Sequence, residues 1–63
     1  MTLCEIVEGR NITEFVEARY LPLLCRFGKE RRYTLETIPL HKYCVQPVAM
    51  CFVEGNKIYF ELS

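Results

Sequence analysis

Val53-Glu54-Gly55-Asn56-Lys57-Ile58 lies between two apolar runs near the end of the chain and reads as a two-residue β-hairpin turn. A Gly-Asn pair supplies the positive φ angles that such turns need. With the turn on Gly55-Asn56, the expected cross-strand partners are Glu54 with Lys57, Val53 with Ile58, Phe52 with Tyr59, Cys51 with Phe60, Met50 with Glu61 and Ala49 with Leu62. Side chains alternate along a strand. Ala49, Cys51, Val53, Ile58, Phe60 and Leu62 therefore share an apolar core face, and Met50, Phe52, Glu54, Lys57, Tyr59 and Glu61 share the other. The second face is half apolar. Its Met50, Phe52 and Tyr59 are candidate partner-binding residues, because Met and aromatic side chains are enriched in interface cores.

Working back from the hairpin, Asn11-Ile12-Thr13-Glu14 has the form of a helix start, with an Asn N-cap and Glu three residues on. Ile12, Phe15, Val16, Tyr20, Leu23, Leu24 and Phe27 then recur at helical spacing, and Gly28 is placed as a stop. This predicts a helix over 12–27 kinked at Pro22, or two shorter helices with Pro22 in the first turn of the second. Ala18, Leu21 and Cys25 fall off the main stripe. A helix apolar all round is buried on both sides or sits at an interface, which adds Leu21 to the partner-binding set. The competing reading is a second hairpin, since Val7-Glu8-Gly9-Arg10-Asn11-Ile12 matches the C-terminal turn stretch at four of six positions. That register would set Glu5 opposite Glu14, a destabilising like-charge pair, and the helix is preferred.

Lys29-Glu30-Arg31-Arg32 reads as a solvated connection, and 33–38 as a strand ended by Pro39. Leu40 to Val45 is either one helical turn begun by Pro39 or an irregular segment, and Pro47 resets the chain for the hairpin. The fold expected is α+β: one kinked N-terminal helix packed on a small antiparallel sheet that ends in a C-terminal β-hairpin.

The 63 residues read as one domain, 1–63, and the initial Met1 suits a complete small protein. An apolar fraction of 51% with 25% charged residues excludes a disordered composition. A chain this short buries only about 60% of its unfolded surface, so its core is thin and self-association as a homodimer, or a protein partner, is expected. No apolar run approaches the roughly 20 residues needed to span a bilayer. Glu5 and Glu8 stand where an export signal would carry basic residues, so no membrane contact and a cytoplasmic, intracellular location are expected. On that footing the Asn11-Ile12-Thr13 sequon carries no weight. Cys4, Cys25, Cys44 and Cys51 each sit in apolar sequence and are expected to be free thiols.

Net charge is zero, yet Glu5, Glu8, Glu14 and Glu17 precede Arg19, Arg26, Lys29, Arg31 and Arg32. The plain explanation is that an acidic and a basic segment pack side by side. The alternative is a nucleic-acid-binding regulator that grips phosphate with Arg19, Arg26, Lys29, Arg31 and Arg32 and uses the 54–57 turn as a wing.

Residues that carry chemistry are sparse. The chain has no Asp, its only Ser is Ser63, and it has no Gly-rich phosphate loop. His41, Cys44, Cys51 and Cys25 form the only metal set to consider, and they lack the tight Cys-x2-Cys knuckle of structural zinc sites. No catalytic residue, metal or cofactor is assigned and no enzyme is expected. The function expected is that of a small regulatory or adaptor module acting by protein–protein contact.

Overall fold

The computed structural model describes residues 1–21 and 26–63. In chain order the elements are α1 (Leu3–Val7), β1 (Glu14–Leu21), β2 (Arg26–Thr34), α2 (Leu40–Tyr43), β3 (Val48–Glu54) and β4 (Lys57–Leu62). The strands form one mixed sheet in the order β2-β1-β4-β3. Its β1–β2 and β3–β4 pairs are antiparallel, and its central β1–β4 pair is parallel.

The α+β class holds, but the N-terminal helix does not. Residues 14–21 are strand, and the predicted kink site, Pro22, together with Leu23, Leu24 and Cys25, lies outside the described residues. The physical reason is that β1 is a central strand buried on both faces. Phe15 points to one side of the sheet and Val16 to the other, and both are 1% exposed, so the polar alternation that marks a half-buried strand is missing. Two adjacent buried residues after a buried Ile12 reproduce three- and four-residue spacing without any helix. The like-charge objection to strand also disappears, because β1 pairs with the basic segment instead of with residues 3–7. Glu14 faces Thr34 and Glu17 faces Arg31, so the acidic and basic segments do lie side by side.

The hairpin follows the expected register from Glu54–Lys57 through Met50–Glu61. Gly55 takes φ +60°, as the turn requires. Beyond Met50 the register slips, and Val48 instead of Ala49 meets Leu62. The Val7–Ile12 echo of this turn is real at one position: Gly9 also adopts positive φ, 76°, and Arg10 N–H donates to the Val7 carbonyl. There it ends α1 and does not join two strands. The strand expected over 33–38 stops at Thr34, where the Thr37 hydroxyl accepts from the Thr34 N–H and closes a turn. Of the two readings for 40–45, the helical turn led by Pro39 is the one adopted.

Packing reads as rows across the sheet. On one face run Tyr33–Phe15–Ile58–Val53 and Arg31–Glu17–Phe60–Cys51, and both helices cover this side. Leu3 from α1 and Tyr43 from α2 are buried against Phe15, Ile58 and Phe60. Tyr43 meets both Phe60 and Tyr33 edge-on, at ring-centroid separations of 5.6 Å. Its hydroxyl donates to Glu17 Oε1 at 2.6 Å and lies 2.8 Å from the Tyr33 hydroxyl. Burial, the Glu17 carboxylate and the Tyr33 hydroxyl together push the Tyr43 hydroxyl well above its ordinary pKa.

Cys4 in α1 and Cys44 just after α2 form a disulfide, with Cα atoms 5.0 Å apart. This corrects the expectation of four free thiols. The apolar neighbours Leu3 and Tyr43 are the buried residues, whereas Cys4 is exposed and Cys44 half-buried, so apolar sequence context did not mean a buried thiol. Cys51 is free and exposed, and Cys25 lies outside the described residues.

Candidate contact surface and basic cleft

The second face of the sheet carries the row Arg32–Val16–Tyr59–Phe52, with Met50 and Glu61 paired beside it. Met50, Phe52 and Tyr59, the three hairpin residues singled out in the sequence, therefore share one face. Phe52 is 52% and Met50 38% exposed, and the Phe52 and Tyr59 rings lie 6.0 Å apart. Lys57 Nζ sits 5.5 Å from the Tyr59 ring centre, within cation–π range, and donates to its hydroxyl at 3.4 Å. Charge flanks the patch on its β2 side, where Arg32 and Glu30 pair at 2.7 Å. Leu21 is not part of an amphipathic helix. It ends β1, paired with Arg26, and its side chain lies outside the described set.

The two outer strands differ in chemistry. β2 carries Arg26, Lys29, Glu30, Arg31 and Arg32, whereas β3 carries Glu54 alone, at its last position. An edge strand presents unpaired N–H and C=O groups, and charged side chains are the usual way to keep another strand from adding to them. β2 has that protection. β3 lacks it from Val48 to Val53, and among the described residues only its first end is covered, where Val48 N–H donates to the Met1 carbonyl and Thr2 bridges Pro47.

The five predicted phosphate-binding residues are not all brought to one site. Arg19, Lys29 and Arg31 line one open cleft of about 570 Å³ together with Glu17 and Glu61. Arg32 lies in the row of the second face, is engaged by Glu30 and does not line the cleft. Arg26 begins β2, and its side chain lies outside the described set. The 54–57 turn stands at the Glu14 end of β1, because Lys57 pairs with Glu14, so it is remote from the cleft beyond Glu17 and Phe60. What the sequence could not show is the meeting of Glu17 with Tyr43 and the convergence of Arg19 on Lys29 and Arg31. Both depend on the β1–β2 ladder. Among the described residues no three His, Cys or acidic side chains come together as a metal-ligand group, and no helix is long and apolar enough to cross a membrane.

No family model, no curated protein and no solved structure matches this chain.

Proposed function

We propose that this chain is a small non-enzymatic regulatory or adaptor module that works by protein–protein contact, its first partner being a second copy of itself joined through β3. The observation that carries this reading is the uncharged edge of β3 beside the exposed Met50 and Phe52. Two β3 strands related by a twofold axis near Cys51 would run antiparallel. Met50 of each copy would then lie opposite Phe52 of the other, extending the apolar row across the joint. The same arrangement sends the two Glu54 carboxylates to opposite ends, whereas parallel pairing would set them side by side. Closure about a twofold also leaves the charged β2 edges outermost, where they resist further addition.

The intracellular setting expected from the sequence rests on Glu5 and Glu8 in place of a basic export region, and free thiols were expected to accompany it. The Cys4–Cys44 bridge instead supports function in an oxidising compartment, where such bonds persist. Light scattering at micromolar concentration should report twice the chain mass, and Phe52→Glu should return the monomer. A wild-type monomer that also captures no protein from its host would overturn the contact reading.

A further inference from the structure

The cleft beside Glu17 exists because β1 and β4 stop pairing after Glu17 and Phe60, although both strands continue, β1 to Leu21 and β4 to Leu62. Across the same stretch the β1–β2 ladder slips. Ala18 pairs with Glu30 and Tyr20 with Phe27, so Arg19 alone opposes two residues of β2, Gly28 and Lys29. A bulge of this kind re-aims side chains and is common beside binding sites. Here it brings Arg19 and Lys29 into the cleft with Arg31.

All three cations are exposed, and none forms an ion pair among the described residues. The carboxylate opposite Arg31 is Glu17, and its Oε1 is taken by the Tyr43 hydroxyl at 2.6 Å. Like charges on neighbouring strands repel, and the two carboxylates of the lining, Glu17 and Glu61, offset the three cations only in part. A tetrahedral oxyanion would relieve the remaining repulsion. Two guanidinium forks and one ammonium supply directed, charge-assisted donors that suit phosphate oxygens.

We propose that this cleft binds a phosphate group, free or as the terminal group of a small phosphomonoester. Glu17 and Glu61, which also line it, oppose a polyanion running through it, and the 54–57 turn is too far along the sheet to hold a second backbone phosphate. A single phosphate therefore fits better than a nucleic-acid strand. The site does not depend on self-association, and a monomer would bind equally well.

The test is a titration of isotopically labelled, oxidised full-length chain followed by amide chemical shifts, with inorganic phosphate, phosphoserine and a mixed-sequence single-stranded oligonucleotide in separate arms, all against sodium chloride at matched ionic strength. Phosphate or phosphoserine should give saturable shifts at Arg19, Lys29 and Arg31. Saturation by phosphate and phosphoserine alike assigns the site to the phosphate group itself, and tighter binding of phosphoserine assigns it to the monoester. Arg19→Gln with Arg31→Gln should weaken binding by about tenfold or more, the scale of a lost charge-assisted hydrogen bond. Arg32→Gln should change it by less than about twofold, and Glu61→Gln should tighten it by removing an opposing charge. The spectra themselves report whether each variant is folded. The proposal is overturned by an absence of saturable shifts in both phosphate arms, by shifts unaffected in the double variant, or by binding confined to the oligonucleotide.

Discussion

The two edges of this sheet are made from the same backbone and carry opposite instructions to a neighbouring strand. β2 places charge at five of its nine positions, and β3 places one charge, at the last of its seven. An incoming strand at β2 would have to displace the water around Arg31 and Arg32, whereas at β3 it would meet Met50, Cys51 and Phe52 with apolar surface to bury. What this teaches is that two edges presenting the same kind of backbone groups are distinguished by side-chain solvation.

The largest effect expected on this contrast comes from the covalent link that holds its setting together. The Cys4–Cys44 bridge joins α1 to the end of α2, and Met1–Thr2, just ahead of α1, pairs with Val48 at the start of β3 and with Pro47 before it. Closing a loop with a sequence separation of 40 residues is worth about 4 kcal/mol in the chain-entropy account. Cys4→Ser with Cys44→Ser should lower unfolding stability by about that amount in urea titration. Little change would show that the helix layer docks without its staple, leaving the contrast between the edges to the sheet alone.

Giving β3 the protection that β2 already has is the next test. Phe52→Lys should weaken self-association by about 1.4 to 2.8 kcal/mol, or roughly ten- to a hundredfold, as read by sedimentation at several concentrations. The reciprocal change at β2, Arg31→Val, should create no comparable dimer while Lys29, Glu30 and Arg32 remain. Equal responses at the two edges would remove the distinction.

Tyr43 secures the β2 half from above through Glu17 and Tyr33. Tyr43→Phe should cost about 1 kcal/mol, the net worth of a typical hydrogen bond. Because the folded pKa of Tyr43 is raised above the ordinary value of 10.0, the stability tied to its proton is fully present below pH 10 and is lost as pH climbs beyond it toward the folded value. Melting curves of the wild type should therefore fall more steeply above pH 10 than those of the Phe variant. Parallel curves would mean that this hydroxyl does not anchor the β2 side.

Gly55→Val probes the turn that carries β3. A Cβ at Gly55 would meet no atom within 4 Å, so the cost is purely conformational and should be about 1 kcal/mol. Unchanged thermal stability would refute the positive-φ turn. The smallest effect is expected from Arg32→Ala, which breaks the surface pair with Glu30 and should shift stability by less than about 0.5 kcal/mol.

Met50, Phe52 and Tyr59 could be placed on one face from the sequence because a two-residue turn fixes register directly, and strand alternation does the rest. The slip at Val48 was not legible, since it coincides with the contacts of Met1 and Thr2 to residues 47 and 48, supplied from the far end of the chain. Leu21 joins the partner-binding set only as an apolar residue off the main stripe of the expected helix, and it loses that rationale with the helix. The basic residues were visible as a cluster, but the division of Arg31 from Arg32 between opposite faces required knowing that they alternate along a strand.

What the sequence determined by itself was therefore local: the Gly55-Asn56 hairpin and its two faces, and the α+β composition. These follow from φ preferences and from alternation, which act between residues near in the chain. Tertiary structure alone decided the strand at 14–21, its parallel pairing with β4, and the Cys4–Cys44 bridge. A central strand buried on both faces loses the alternation that would announce it. Pairing across some forty residues is chosen by which surfaces the assembled sheet and helices bury together, a comparison that no single stretch of the chain contains.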